Sequence, residues 1–124
     1  MKLSEEEFDR IAKRAIRRIP KELRQYLDNI IISVRQQPTR AMLREVGLPS
    51  EGLLLGLYRG VPLIERSATM PPLFPDTIFL FQKPIEEVCH TMEKLEEQIE
   101  VTVVHEIAHF FGITEERLKE LGYG

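Results

Sequence analysis

The feature that most constrains this chain is the segment Val101-Thr102-Val103-Val104-His105-Glu106-Ile107-Ala108-His109-Phe110-Phe111-Gly112, which sets His-Glu-x-x-His inside a run that is otherwise nearly all apolar. On a helix, His105 and His109 stand one turn apart on one face, the spacing at which two imidazoles can share one zinc ion. Glu106 is turned by about 100° from them, too far for an equal third ligand and near enough to reach a water beside the metal. With three histidines and abundant glutamate in 124 residues, chance writes this pattern in about 1% of shuffled chains, so its context matters. Apolar residues at Val101, Val103, Val104, Ile107, Ala108, Phe110 and Phe111 describe a buried helix. Polar groups in such a helix need partners, because each one left unsatisfied costs about 1–3 kcal/mol. A metal supplies the partner; the alternative is core histidines bonded to carbonyls, with Glu106 paired to an arginine.

A chain of 124 residues has room for one core, and residues 1–124 are expected to form a single domain. A net charge of -3, with acids and bases interspersed, gives no field to attract nucleic acid or an anionic membrane, and neither is an expected partner. The one cysteine, Cys89, excludes an internal disulfide and fits a small buried hydrophobe better than a nucleophile. Glu5, Glu6 and Glu7 interrupt the start, so no signal peptide is expected, and no window has the apolar length of a membrane span. A cytoplasmic monomer is the simplest expectation.

Ser4 with Glu5, Glu6 and Glu7 predicts a helix start, and Phe8, Ile11, Ala12, Ala15, Ile16 and Ile19 recur at helical spacing over about 4–18. The basic cluster Lys13, Arg14, Arg17 and Arg18 is expected on a solvated face of that helix. A short helical turn follows over 20–27, then a strand at Ile30–Val34 and a short helix capped by Thr39 and closed by Gly47. Leu53–Arg59 is expected as a second strand, with Gly56 and Gly60 marking close backbone approach. Prolines at 62, 71, 72 and 75 make residues 61–76 a loop or irregular edge. Thr77–Phe81 restores strand composition, Pro84 is expected to end it, and Ile85–Met92 is open between helix and loop. From Glu93 the pattern is helical, with Leu95, Ile99, Thr102 and Glu106 on one line, and it runs to Phe111. Gly112 stops it in the left-handed conformation, and Thr114 caps a last helix over 115–121.

His105-Glu106-x-x-His109-x-x-Gly112 followed by Glu115 resembles the metzincin metallopeptidases, in which a histidine holds the position of Glu115. Leu54-Leu55-Gly56-Leu57-Tyr58-Arg59-Gly60-Val61-Pro62-Leu63, with Ile113-Thr114-Glu115-Glu116-Arg117-Leu118, is similar to a family of small single-domain zincin-like metallopeptidases of bacteria. That family most often carries Asp where this chain has Glu115. The resemblance covers the chain from about residue 25 onward and implies a minimal α+β zincin fold, a small twisted sheet packed on the active-site helix, with zinc in a shallow cleft.

Peptide hydrolysis is the function this resemblance implies, with zinc held by His105, His109 and Glu115 and a water at its open position. Glu106 would be the general base, taking the proton of the water and passing it to the leaving amine. Glu116 and Glu120 compete with Glu115 for the third ligand position, and any acid there is also favoured simply by the first turn of the last helix. Tyr58, Arg66 and Tyr123 are candidates for stabilising the oxyanion, each with a structural role as the alternative. An extended peptide or protein substrate would add to a sheet edge. Two rival functions are a metal-dependent ribonuclease, disfavoured by the acidic balance, and a non-catalytic zinc-binding interaction module, which has no need of Glu106.

Overall fold

In the computed structural model, which describes residues 1–60 and 76–124, the capping signals of the sequence set the helix boundaries. Ser4 opens α1 (Glu5–Arg17): its hydroxyl accepts from the Glu7 N–H at 3.1 Å, and the Glu7 carboxylate reaches back to the Ser4 N–H. This reciprocal pair satisfies donors that a helix start leaves free. After Pro20 come the short α2 (Lys21–Arg24) and a 3-10 turn, Gln25–Leu27, leading to β1 (Ile30–Arg35). Thr39 caps α3 (Arg40–Glu45), its hydroxyl accepting from Met42 N–H at 3.1 Å. The strands β2 (Gly56–Arg59) and β3 (Asp76–Phe81) follow. The loop expected over residues 61–76 lies, apart from Asp76, outside the described residues, as does Arg66.

Among the described residues the sheet has three strands in the order β1-β3-β2, with β1 parallel and β2 antiparallel to β3. β2 starts at Gly56 and not at Leu53, and its partner explains why. Leu55 C=O accepts from Phe81 N–H at 2.9 Å, but beyond Phe81 the chain turns into α4 (Gln82–Val88), so Leu53 and Leu54 have no length of β3 to pair with. Pro84 does not merely end β3; it sits inside the first turn of α4, where its missing N–H would have had no intrahelical acceptor. The open choice over 85–92 is thereby resolved as helix to Val88.

Thr91 caps the long helix α5 (Met92–Phe111), and Thr114 caps α6 (Glu115–Glu120). Leu95, Ile99, Val103 and Ile107, all fully buried, form the stripe of α5 that meets Ile78 and Leu80 of β3 and Phe8, Ile11 and Ala15 of α1. The buried line thus runs one residue beyond the expected line through Thr102 and Glu106, which lie at the border of the core. On the opposite sheet face, Phe79 and Phe81 pack with Leu57 and Met42. Because β3 is covered on both faces, Ile78-Phe79-Leu80-Phe81 is apolar without alternation.

Arg14 of α1 and Arg18, which caps its C-terminus, pair with Glu96 of α5, and Arg18 also approaches Glu100 at 3.0 Å. Two members of the basic cluster, Arg14 and Arg18, therefore tie this first helix to α5, while Lys13 pairs with Asp9 within α1. Cys89 is buried, its thiol lies 3.6 Å from Lys94 C=O, and burial pushes its pKa up, which is the behaviour of a packing residue. No helix among the described residues is long and apolar enough to cross a membrane.

Gly56 is where β2 comes close to α5. A Cβ there would stand 2.6 Å from Thr102 Cγ2 and 3.0 Å from Phe79 O, so the expected close approach is real. Gly56→Ala should destabilise the protein by about 1–3 kcal/mol, as overpacking does. Thr102→Ser, which removes the clashing methyl, should restore part of that loss in the double variant; denaturant titration of the four proteins checks this, and simple additivity would contradict the contact.

Candidate active site

The last turns of α5 carry the site because the helix runs past the core that buries its middle. Ile107 and Ala108 remain buried, whereas His105 and His109 are exposed and Glu106 is half-buried. The expectation of a buried helix, apolar around nearly its whole circumference, is corrected here. Phe110 and Phe111 are 38% and 41% exposed, so the two imidazoles face an open cleft and are not core groups seeking a partner. Only Glu106 keeps the character of a polar group drawn into the interior.

Gly112, with φ 71°, ends α5 in the left-handed region, and Ile113 N–H returns to Ala108 C=O at 2.9 Å. A β-carbon would strain that conformation, so glycine allows the chain to fold back over the histidine face. Thr114 then starts α6, its hydroxyl accepting from Arg117 N–H at 3.1 Å. The result is a cleft of about 310 Å³ lined by His105, Glu106, Ala108 and His109 of α5, Ile113 of the turn, and Glu115 and Leu118 of α6.

Of the three acids weighed as a third ligand, Glu115 alone lines this cleft. It also occupies the first turn of α6, where the helix dipole favours an acid in any case. Glu116 does not line the cleft, and Glu120 forms an ion pair with Arg117 at 2.8 Å. Among the described residues, no group of three or more His, Cys, Asp or Glu side chains is gathered closely enough to hold a metal ion. The donor set fits zinc in kind: two imidazoles one turn apart on one face, with carboxylates of Glu106 and Glu115 lining the same cleft.

Glu106 is held by a main-chain group that side-chain patterns do not reveal. Its Oε1 accepts from the Tyr58 N–H of β2 at 2.7 Å. Burial pushes the Glu106 carboxyl above the usual carboxylate range, opposed by that N–H and by the neighbouring His109 and His105. The Tyr58 ring stacks on Phe110, centroids 4.0 Å apart at 16°, and its hydroxyl donates to Asp76 at 2.7 Å. Tyr123 donates its hydroxyl to Glu100, and burial followed by that carboxylate raises its phenol well above the usual range. Both tyrosines thus have structural duties, and Tyr123 lies outside the lining of the cleft.

Residues 27–124 match the model of a family described as zincin-like metallopeptidase. Among solved structures, a conserved hypothetical protein from T. thermophilus shares the fold, with a TM-score of 0.52 and 21% identity over 92% of this chain and 99% of that one. A search of curated proteins returns no match.

Tyr123 provides a check on where the site ends. Glu100 is buried, and Arg18 approaches it without the alignment of a hydrogen bond. Tyr123→Phe should therefore lower stability by about 1–3 kcal/mol by leaving a buried carboxylate oxygen short of a donor. Zinc affinity should be unchanged in the same variant; a loss measured by competitive titration would return Tyr123 to the site.

Proposed function

The chain belongs to the zincin-like metallopeptidase family, and from that premise we propose that it is a zinc-dependent peptidase acting on peptide or protein substrates as a monomer. The observation that carries this reading is the cleft lined together by His105, Glu106, His109 and Glu115. In it His105, His109 and Glu115 would hold zinc, with Glu115 brought in from the wall of the cleft by the freedom of its long side chain. Zinc when bound lowers the pKa of a water to about 7 and polarises the scissile carbonyl.

Glu106 supplies the proton transfers. Its Oε1 is engaged by Tyr58 N–H, so its other oxygen is the one available to take a proton from the attacking water. The same carboxyl, partly desolvated, then returns that proton to the leaving amine, and a raised pKa suits a group that must both accept and give it. β2 is an edge strand of the described sheet and lies beside Glu106, which favours an extended peptide as substrate. The net charge of -3 gives no comparable support for RNA.

Metal analysis of protein purified without chelator should find about one zinc per chain, and added zinc should raise the melting temperature. Glu115→Ala should weaken zinc binding more than about tenfold, with Glu116→Ala and Glu120→Ala close to the parent. Parent-like affinity in Glu115→Ala would remove it from the ligand set.

Glu106→Gln should keep zinc but lose at least about 100-fold in peptide hydrolysis, the usual contribution of a positioned general base. Assays on unfolded protein and on RNA separate the rivals: cleavage of RNA alone would overturn the peptidase reading, and cleavage of neither would favour a binding module.

A further inference from the structure

The strands show why Tyr58 N–H is available to Glu106. Leu55 pairs with Phe81 through the Phe81 N–H, so in the alternating antiparallel ladder Leu57 and Arg59 also turn their N–H groups toward β3. Tyr58, opposite Ile78, belongs to the other set, and its N–H points away from β3. That N–H meets Glu106 Oε1 at 2.7 Å, a distance within the range of charge-assisted hydrogen bonds. The Tyr58 ring then stacks on Phe110, one helical turn beyond Glu106 on the same side of α5. One residue of β2 is thus gripped twice by one stripe of α5, through its main chain and through its ring.

We infer that Tyr58 is a positioning residue for the general base: its main-chain N–H, steadied by the stack on Phe110, fixes which oxygen of Glu106 faces the cleft and how far it stands from the scissile bond. This rests on the peptidase reading of Glu106. The side chain of Glu has three rotatable bonds, and an unanchored carboxylate would spend much of its time out of line with the attacking water. Small misplacements of catalytic groups carry large rate penalties. The tether acts on the rate of the chemical step and leaves zinc affinity nearly untouched; a peptide laid along β2 would use the other outward groups of that edge, because Tyr58 N–H is already taken by Glu106.

Two measurements on the 124-residue, zinc-supplemented chain test this separately from peptidase activity itself. In 15N-labelled protein, the Tyr58 amide proton should resonate downfield and exchange slowly. Glu106→Ala should move it upfield and quicken exchange by about tenfold or more, while Glu106→Gln, which keeps an acceptor oxygen, should fall between. For the rate, Tyr58→Pro and Tyr58→Ala both lose the ring, but only proline loses the N–H, and a proline is tolerated on an edge strand where that N–H serves no ladder. Tyr58→Pro should have a kcat at least about tenfold below Tyr58→Ala, with KM and zinc affinity within about twofold. Should Tyr58→Pro fail to fold, Phe110→Ala, which alters an exposed ring, should lower kcat at constant KM and loosen the Tyr58 amide. An amide unmoved by Glu106→Ala, or equal kcat in the proline and alanine variants, would overturn the inference. A parent chain that cleaves no peptide defeats the peptidase reading alone, and the amide resonance then decides whether the tether exists.

Discussion

The buried stripe of α5 is the constraint on which everything else in this molecule depends. Leu95, Ile99, Val103 and Ile107 are spaced by four, face both α1 and the sheet, and are fully removed from water. Each such side chain contributes about 1.5–3 kcal/mol by burial, a large share of the net stability of a small domain. Because the stripe lies at the middle of the helix, the rotation of α5 about its axis is fixed, and with it the direction in which residues 105, 106 and 109 point. The electrostatic ties of Glu96 and Glu100 to Arg14 and Arg18 add alignment between α1 and α5, but surface ion pairs of this kind are worth far less than the apolar seam.

The site occupies the end of α5 at which the seam gives out. Two imidazoles and a carboxylate in the interior would have carried a large desolvation penalty, whereas here only Glu106 is drawn toward the core, and it is met there by a main-chain donor. The left-handed turn at Gly112 is what makes a cleft of this end, since it sends α6 back over the histidine face and brings Glu115 to its wall. Gly56 makes a matching contribution from the sheet side: without a β-carbon, β2 can approach α5 closely enough for Tyr58 N–H to reach Glu106. Two glycines and one backbone amide therefore shape a cleft whose histidine and glutamate side chains come from α5 and α6.

The sequence by itself determined three of the helix starts, because capping is local chemistry: Ser4, Thr39 and Thr114 each serve the start they announce. It also determined that His105 and His109 share a face, since four residues make one turn wherever the helix lies. Only the tertiary structure decided how much of that face is covered. An apolar run reads the same whether a partner surface covers all of it or stops short, so Phe110 and Phe111 suggested a buried helix where the core in fact ends. The early start of α4 at Gln82, and the consequent shortening of β2 at its Leu53 end, depended on where β3 stops, which is a property of the pairing and not of Leu53 or Pro84. The hold on Glu106 was invisible for a simpler reason. Every residue except proline carries the same main-chain N–H, so nothing in the letters of β2 distinguishes Tyr58 as the donor; the ladder register and the close approach at Gly56 select it.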